Sequence, residues 1–191
     1  MHILRTLLPL LSLLFLAGSA LLLFLLLLSS LPHPPLNRIF LLSAHPSIPH
    51  APPLAHWTFY SVCPGTVSGK SINCPPSSAA VPILPQENFG TRENVPKDFL
   101  DARDKYYYLS KFGYAFLVIG LFWNLLAMGA GGVGGCVRGG RAVGAGLAGL
   151  AFWSVLLSAC CLTAVVVMAR NAFRDEGREA NVGVKVSYSW I

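Results

Sequence analysis

The sequence predicts an all-α membrane protein, with three apolar spans carrying a small disulfide-stapled extracellular loop domain. Three observations lead there. Of 191 residues, 54% are hydrophobic and 12% charged, with a mean hydropathy of +0.59, whereas a soluble domain carries roughly a quarter charged residues. Three runs are each long enough to cross a hydrocarbon core about 30 Å thick, which takes about 20 apolar residues. Between the first and second runs lies a polar segment holding a cysteine pair, Cys63 and Cys74. Only helices satisfy every backbone group within one segment, so the runs read as helices.

Residues 1–5 form a cytoplasmic N-terminus and residues 6–28 the first span, which carries no charge before Ser29-Ser30-Leu31-Pro32. A cleaved signal peptide is the alternative, with Arg5 as its positive region and Ala17-Gly18-Ser19-Ala20 as a cleavage site. The apolar run continues through Leu28, beyond a usual signal core, which favours an uncleaved span. Residues 112–130 and 142–169 are the second and third spans, joined by a Gly-rich cytoplasmic loop, 131–141. Arg5 in the N-terminus and Arg138 and Arg141 in that loop mark the cytoplasmic side. Residues 29–111 then form the external loop, and residues 170–191 a second external segment. Arg170, Arg174, Arg178 and Lys185 in that segment argue the other way, and the oxidising exterior required by the cysteine pair decides.

Within the external loop, Pro32 to Pro53 holds seven prolines, a composition that disfavours a ladder and favours extended chain. Within Leu54 to Cys74, the aromatic and β-branched residues Trp57, Thr58, Phe59, Tyr60 and Val62 suit a short strand, with Cys63-Pro64-Gly65 as a turn. Phe99 to Tyr108 reads as a helix running into the second span, with Asp98 or Asp101 near its start and Tyr106-Tyr107-Tyr108 at the membrane interface.

The chemistry-bearing residues are few. A Cys63–Cys74 disulfide closes a loop of about a dozen residues and stabilises it by roughly 3 kcal/mol in the chain-entropy picture. Zinc is the rival, since His45, His50 and His56 lie nearby, but their spacing matches no standard finger. Gly129-Ala130-Gly131-Gly132-Val133-Gly134 formally matches a dinucleotide fingerprint. That motif needs a preceding strand and an acid about 20 residues on. Membrane spans flank it here, and no acid occurs between Asp104 and Asp175. Gly140, Gly144 and Ala148 sit four apart and permit close helix packing, while Asn124 is the amide of a membrane core, able to bond across helices. No ionisable residue lies inside a span, which argues against a proton or ion path. Cys136 beside a span is a candidate for reversible palmitoylation, with an unmodified thiol as the alternative. Cys160-Cys161 read as packing residues. The fourteen Lys and Arg are scattered, with no basic face for phosphates, so no nucleic-acid partner is expected. No catalytic constellation, cofactor or metal is expected; the partners expected are the lipid bilayer and other membrane proteins, a second copy included.

The pattern Trp57-x-x-Tyr60-x-x-Cys63, followed by Cys74, is similar to the first extracellular loop of claudin-like tetraspans. Together with Val95-Pro96-Lys97-Asp98-Phe99 and the stretch Arg103 to Phe112, it resembles the Sur/PalI family of fungal plasma-membrane proteins. The tail from Ala169 to Lys185 resembles that family's second external loop. The resemblance covers most of the chain from about Trp57 onward and implies a claudin-like four-helix bundle with Trp57 and Tyr60 as the ectodomain motif. It implies a fourth span beginning near Tyr188-Ser189-Trp190; the sequence given stops at Ile191, for which the expected reason is a truncated gene model and the alternative a degenerate product. The role it implies is non-enzymatic: organising a static, eisosome-associated plasma-membrane compartment with links to cell-wall integrity and endocytosis. The alternative is an accessory protein that stabilises a receptor in ambient-pH signalling.

Overall fold

The computed structural model describes residues 2–29, 36–66, 69–75, 78–133 and 140–182. In chain order these form α1 (His2–Leu27), a 3-10 turn (Leu36–Arg38), β1 (Leu42–Ala44), β2 (Ala55–Trp57), β3 (Val62–Pro64), α2 (Pro85–Asn88), α3 (Lys97–Asp101), α4 (Arg103–Val133), α5 (Gly140–Asp175) and β4 (Ala180–Val182). Contacts divide the chain into two units. One comprises Met1–Leu26 and Ala115–Ala159, the other Leu27–Tyr114 and Cys160–Ile191.

The first unit is helical. Among the described residues three helices, α1, α4 and α5, are long and apolar enough to cross a membrane. Within the unit they meet through small residues. A methyl added at Gly120 would lie 2.7 Å from the Val155 side chain, so that glycine lets α4 and α5 approach closely, whereas one at Gly144 would make ordinary contact, 3.5 Å from the Gly131 backbone. Ala20, Leu23, Leu117, Leu121, Ala127 and Ala151 are buried, whereas Leu14, Phe15, Leu22, Phe122, Phe152 and Trp153 face outward. So many outward apolar side chains on three helices suit lipid as the surrounding solvent.

The second unit corrects the all-α expectation. It contains a four-stranded antiparallel sheet in the order β3-β2-β1-β4. β1 pairs with β2 in the register Leu42↔Trp57, Ser43↔His56, Ala44↔Ala55, and with β4 through Leu42↔Val182 and Ala44↔Ala180. The proline-rich segment was expected to exclude a ladder, yet β1 forms inside it. Residues 36–45 contain no proline, so their N–H groups are free to pair. The single strand expected over Trp57–Val62 is two strands, because the Thr58 N–H donates to the Ser61 carbonyl at 3.0 Å and reverses the chain. The Thr58 hydroxyl reinforces the reversal, accepting from the Ser61 N–H at 3.2 Å. Cys63-Pro64-Gly65 is not a turn; Val62–Pro64 is an edge strand, where a proline can sit with its missing donor facing away from the ladder.

The helix expected over Phe99–Tyr108 is interrupted. α3 closes at Ala102, whose N–H donates to the Asp98 carbonyl, and α4 starts afresh at Arg103. Tyr106, expected at the membrane interface, is buried against Phe99 with ring centroids 4.6 Å apart, while Tyr108 is exposed. At its far end α5 closes with Gly177 in the left-handed conformation (φ 73°). The Gly177 N–H bonds the Arg174 carbonyl and the Arg178 N–H bonds the Phe173 carbonyl. This two-bond closure turns the chain toward β4. Leu42, Trp57, Ile83, Leu84, Phe99, Tyr106, Val165 and Phe173 form the core of the unit. The residues from Pro32 to Pro35, Arg138 and the segment near Tyr188 lie outside the described residues.

Candidate functional site

The stapled sheet is where the unusual residues gather. β2 is buried on both faces, since successive side chains alternate and both His56 (1% exposed) and Trp57 (0%) are enclosed. Trp57 faces the helices. Its ring meets Phe173 at 5.9 Å and Phe89 edge-on at 6.1 Å. Its Nε1 is buried without a hydrogen-bond partner, so the residue acts here through its apolar body.

His56 faces the other way. It stacks on Phe40 at 4.1 Å, and its Nδ1 shares a hydrogen bond with the Ser71 hydroxyl at 3.0 Å. A methyl at Gly65 would collide with the imidazole at 2.6 Å, so glycine is what lets the ring lie flat there. Cys63 stands directly opposite His56 in the ladder and therefore shares its face. Cys63 is bonded to Cys74 across a Cα separation of 4.5 Å. The loop so closed has its own backbone bonds, Ile72 N–H to the Pro64 carbonyl and Thr66 N–H to the Lys70 carbonyl, both 2.9 Å. A staple and a histidine sandwich thus sit on one face, and a tryptophan core on the other.

Tyr60 is half-buried in the reversal between β2 and β3. Its hydroxyl lies 3.1 Å from the Tyr114 hydroxyl. Burial, then that hydrogen bond, push its pKa up to about 12, so it is a neutral hydrogen-bonding group. The tail is clasped as well. Arg178 donates to the Pro46 carbonyl and to Asn94 Oδ1 at 3.2 Å, and pairs with Glu176 at 2.9 Å.

In the first unit, Asn124 donates to the Ser19 hydroxyl. Gly144 lies against the α4 backbone, and Ala148 lines a cleft shared with α1. Gly140 begins α5. Cys136 lies outside the described residues. Among the described residues Cys160 and Cys161 are free thiols, and no three His, Cys, Asp or Glu side chains cluster as metal ligands. Trp57 and Cys63 lie on opposite faces of the sheet, with Cys74 joined to it by the disulfide, whereas Asn124, Gly144 and Ala148 belong to the helical unit. Phe40 and Phe173 were not singled out in the sequence, and Gly65 was read only as part of a turn. Their one legible signal is Gly65 following a strand-forming run, which reads more readily as a turn.

Burial holds the His56 pKa at about 4, against an ordinary 6.5. Between those values the unfolded chain holds the proton and the folded chain does not. Stability is therefore full above pH 6.5 and falls as pH drops toward 4, by about 3 kcal/mol in total. Denaturation of the purified chain across this range should show the loss, and His56→Gln should flatten it. A wild-type slope equal to that of the variant would refute the assignment.

A family profile described as SUR7/PalI matches residues 8–191. The protein SUR7 of Candida albicans is 40% identical over 177 residues, covering 91% of this chain and 64% of the relative. The SUR7 family protein FMP45 of Saccharomyces cerevisiae is 37% identical over 176 residues, covering 90% and 57%. An uncharacterized plasma membrane protein of Saccharomyces cerevisiae is 35% identical over 138 residues, covering 71% and 46%. The chain thus spans about half to two thirds of the length of these relatives. No solved structure matches it.

Proposed function

This chain belongs to the SUR7/PalI family of membrane proteins, a family not known for catalysis, and on that premise we propose that it organises a static compartment of the plasma membrane, eisosome-associated and tied to cell-wall integrity and endocytosis. Plasma-membrane residence follows the description of one relative and fits three helices of spanning length. The single observation that carries the reading is the stapled sheet. Its disulfide, its buried His56 and Trp57 and its clasped tail make a rigid body rather than a reactive pocket.

The sheet also bears on topology. β1 precedes α4, and β4 follows α5. Strands that pair must lie on one side of the bilayer, and two crossings between them satisfy this. Together with the need of Cys63 and Cys74 for an oxidising compartment, this favours the loop and tail both outside. The basic residues of the tail therefore do not decide its side.

The second reading is an accessory protein stabilising a receptor in ambient-pH signalling. His56 is the observation that bears on it, and it speaks for acid rather than alkaline sensitivity, because its pKa is held at about 4. We therefore rank the reading second.

Photobleaching of the chain fluorescently tagged at its N-terminus tests the choice. Immobile cortical patches that fail to recover are expected. A freely mobile surface signal, or co-purification with a receptor and loss of the alkaline response on deletion, would overturn the organiser in favour of the accessory.

A further inference from the structure

The His56 ring is closed in by separate segments of the chain. Phe40, which precedes β1, covers one face at 4.1 Å. Gly65 lies so close that a methyl there would stand 2.6 Å from Nε2, and the Ser71 hydroxyl meets Nδ1 at 3.0 Å. Gly65 and Ser71 bridge each other in the loop that the Cys63–Cys74 disulfide closes. None of these segments supplies an anion. Arg38 on the 3-10 turn and Lys70 in the stapled loop are exposed cations, and the exposed His45 follows β1. β2 and β3 hold no other titratable group, since Cys63 is in the disulfide. No aspartate or glutamate precedes Glu87 in the chain. A proton on His56 therefore makes a buried cation with no opposite charge on the segments around it, which is costly to keep enclosed.

Which cover lifts follows from how each is held. β2 cannot turn the ring out, because it pairs on both edges and its next residue, Trp57, is sealed in the core on the other face. Phe40 is anchored through Leu41, whose N–H donates to the Trp57 carbonyl at 2.8 Å. The loop is held more lightly. Its base is fixed by the disulfide and by the Ile72 N–H on the Pro64 carbonyl. Beyond the base and the imidazole itself, it is tied by the Gly65 N–H to the Leu54 carbonyl and the Ser71 N–H to the Asn37 carbonyl, both 2.9 Å. Asn37 weakens that junction, since its Oδ1 is buried without a partner and gains water once the loop lifts.

We propose that the stapled loop is an acid-released flap: a proton on His56 lifts Gly65 and Ser71 off the ring, with the disulfide as hinge and the tryptophan core left in place. The open form turns the Phe40 ring and the imidazolium outward, a cationic aromatic surface that the closed form hides. The inference rests on the enclosure of His56 and holds under either reading of the protein's function. The open form takes up a proton that the closed form refuses, so opening grows as pH falls below the ordinary 6.5 toward the enclosed value of about 4. Between pH 7 and pH 4 the opening constant should rise roughly 100-fold, and by pH 5 roughly 20-fold.

The test is amide hydrogen exchange of the whole, disulfide-intact chain in phosphatidylcholine nanodiscs at pH 7, 5 and 4, corrected for the intrinsic effect of pH. The Gly65 and Ser71 amides should lose protection by these factors while the Leu41 amide keeps its own. His56→Gln, neutral at every pH and still able to bond Ser71, should hold one level of protection throughout. Gly65→Ala should undock the loop by collision with the ring, giving at pH 7 the fast Ser71 exchange that the wild type reaches only in acid. Equal Ser71 protection at pH 7 and pH 4 in the wild type would overturn the flap. So would a matching loss at Leu41, which means that the unit opens as a whole, or a pH response that survives in His56→Gln. Should His56→Gln lose Leu41 protection at pH 7, Gly65→Ala decides, and wild-type Ser71 protection in that variant refutes the proposal.

Discussion

Trp57→Ala should destabilise the sheet-bearing unit by about 3–5 kcal/mol, the cost of emptying a large aromatic site from a core that cannot fully collapse. The ring is wholly enclosed and touches both Phe89 and Phe173. It therefore joins β2 to a short helix and to the end of α5 at once. A domain's whole stability is on the order of 5–15 kcal/mol, so the variant should be retained inside the cell and become sensitive to protease in the segment 36–114. Trp57→Phe should cost markedly less. Its ring fills much of the same space, and the Nε1 donor it removes has no partner to lose. Wild-type surface delivery and protease resistance of Trp57→Ala would show that the aromatic core is not what holds the unit.

Breaking the staple should act differently. Cys63→Ser with Cys74→Ser should cost about 2–3 kcal/mol, from the loop entropy released in the unfolded state. The lower part of that range is expected because the loop keeps its Pro64–Ile72 and Thr66–Lys70 backbone bonds. The damage should also be local. The disulfide lies on the His56 face, opposite Trp57, so residues 64–74 should become protease-labile while the near-ultraviolet signature of the tryptophan core persists. Surface delivery should fall. Unchanged delivery together with an unchanged digestion pattern would mean that the hydrogen bonds alone hold the loop. Cys63→Ser by itself should be worse than the pair, since it leaves Cys74 free to form wrong disulfides.

The three apolar helices were legible because length and composition suffice: an uninterrupted run such as Thr6–Leu28 has few other fates. The cysteine pair was legible because a polar segment between spans has little else to hold it. The sheet was largely not. Each strand is three residues long, too short for alternation to register. β4 becomes a strand only by meeting β1, and β1 by lying between β2 and β4, which local sequence does not encode. Proline count misled over Pro32–Pro53, where the informative feature was the proline-free gap that holds Leu42–Ala44. Tyr106-Tyr107-Tyr108 misled by their likeness to an interfacial belt; helical geometry turns Tyr106 inward and Tyr108 outward. His56 was visible only as one of several histidines. Its setting depends on Phe40, Gly65 and Ser71, which come together only through the ladder and the loop.

The pairing of Ala44 with Ala180 makes assembly of the sheet a matter of timing. β1 leaves the ribosome long before β4 exists, and at roughly 5–20 residues per second the interval is about 7–27 s. Throughout it, one edge of β1 has no strand to pair with, and both later helices must be threaded before that edge can be closed. The nascent protein therefore carries an open strand edge until both helices and β4 have been made. Closure of that edge by β4 completes the four-stranded sheet of the described residues.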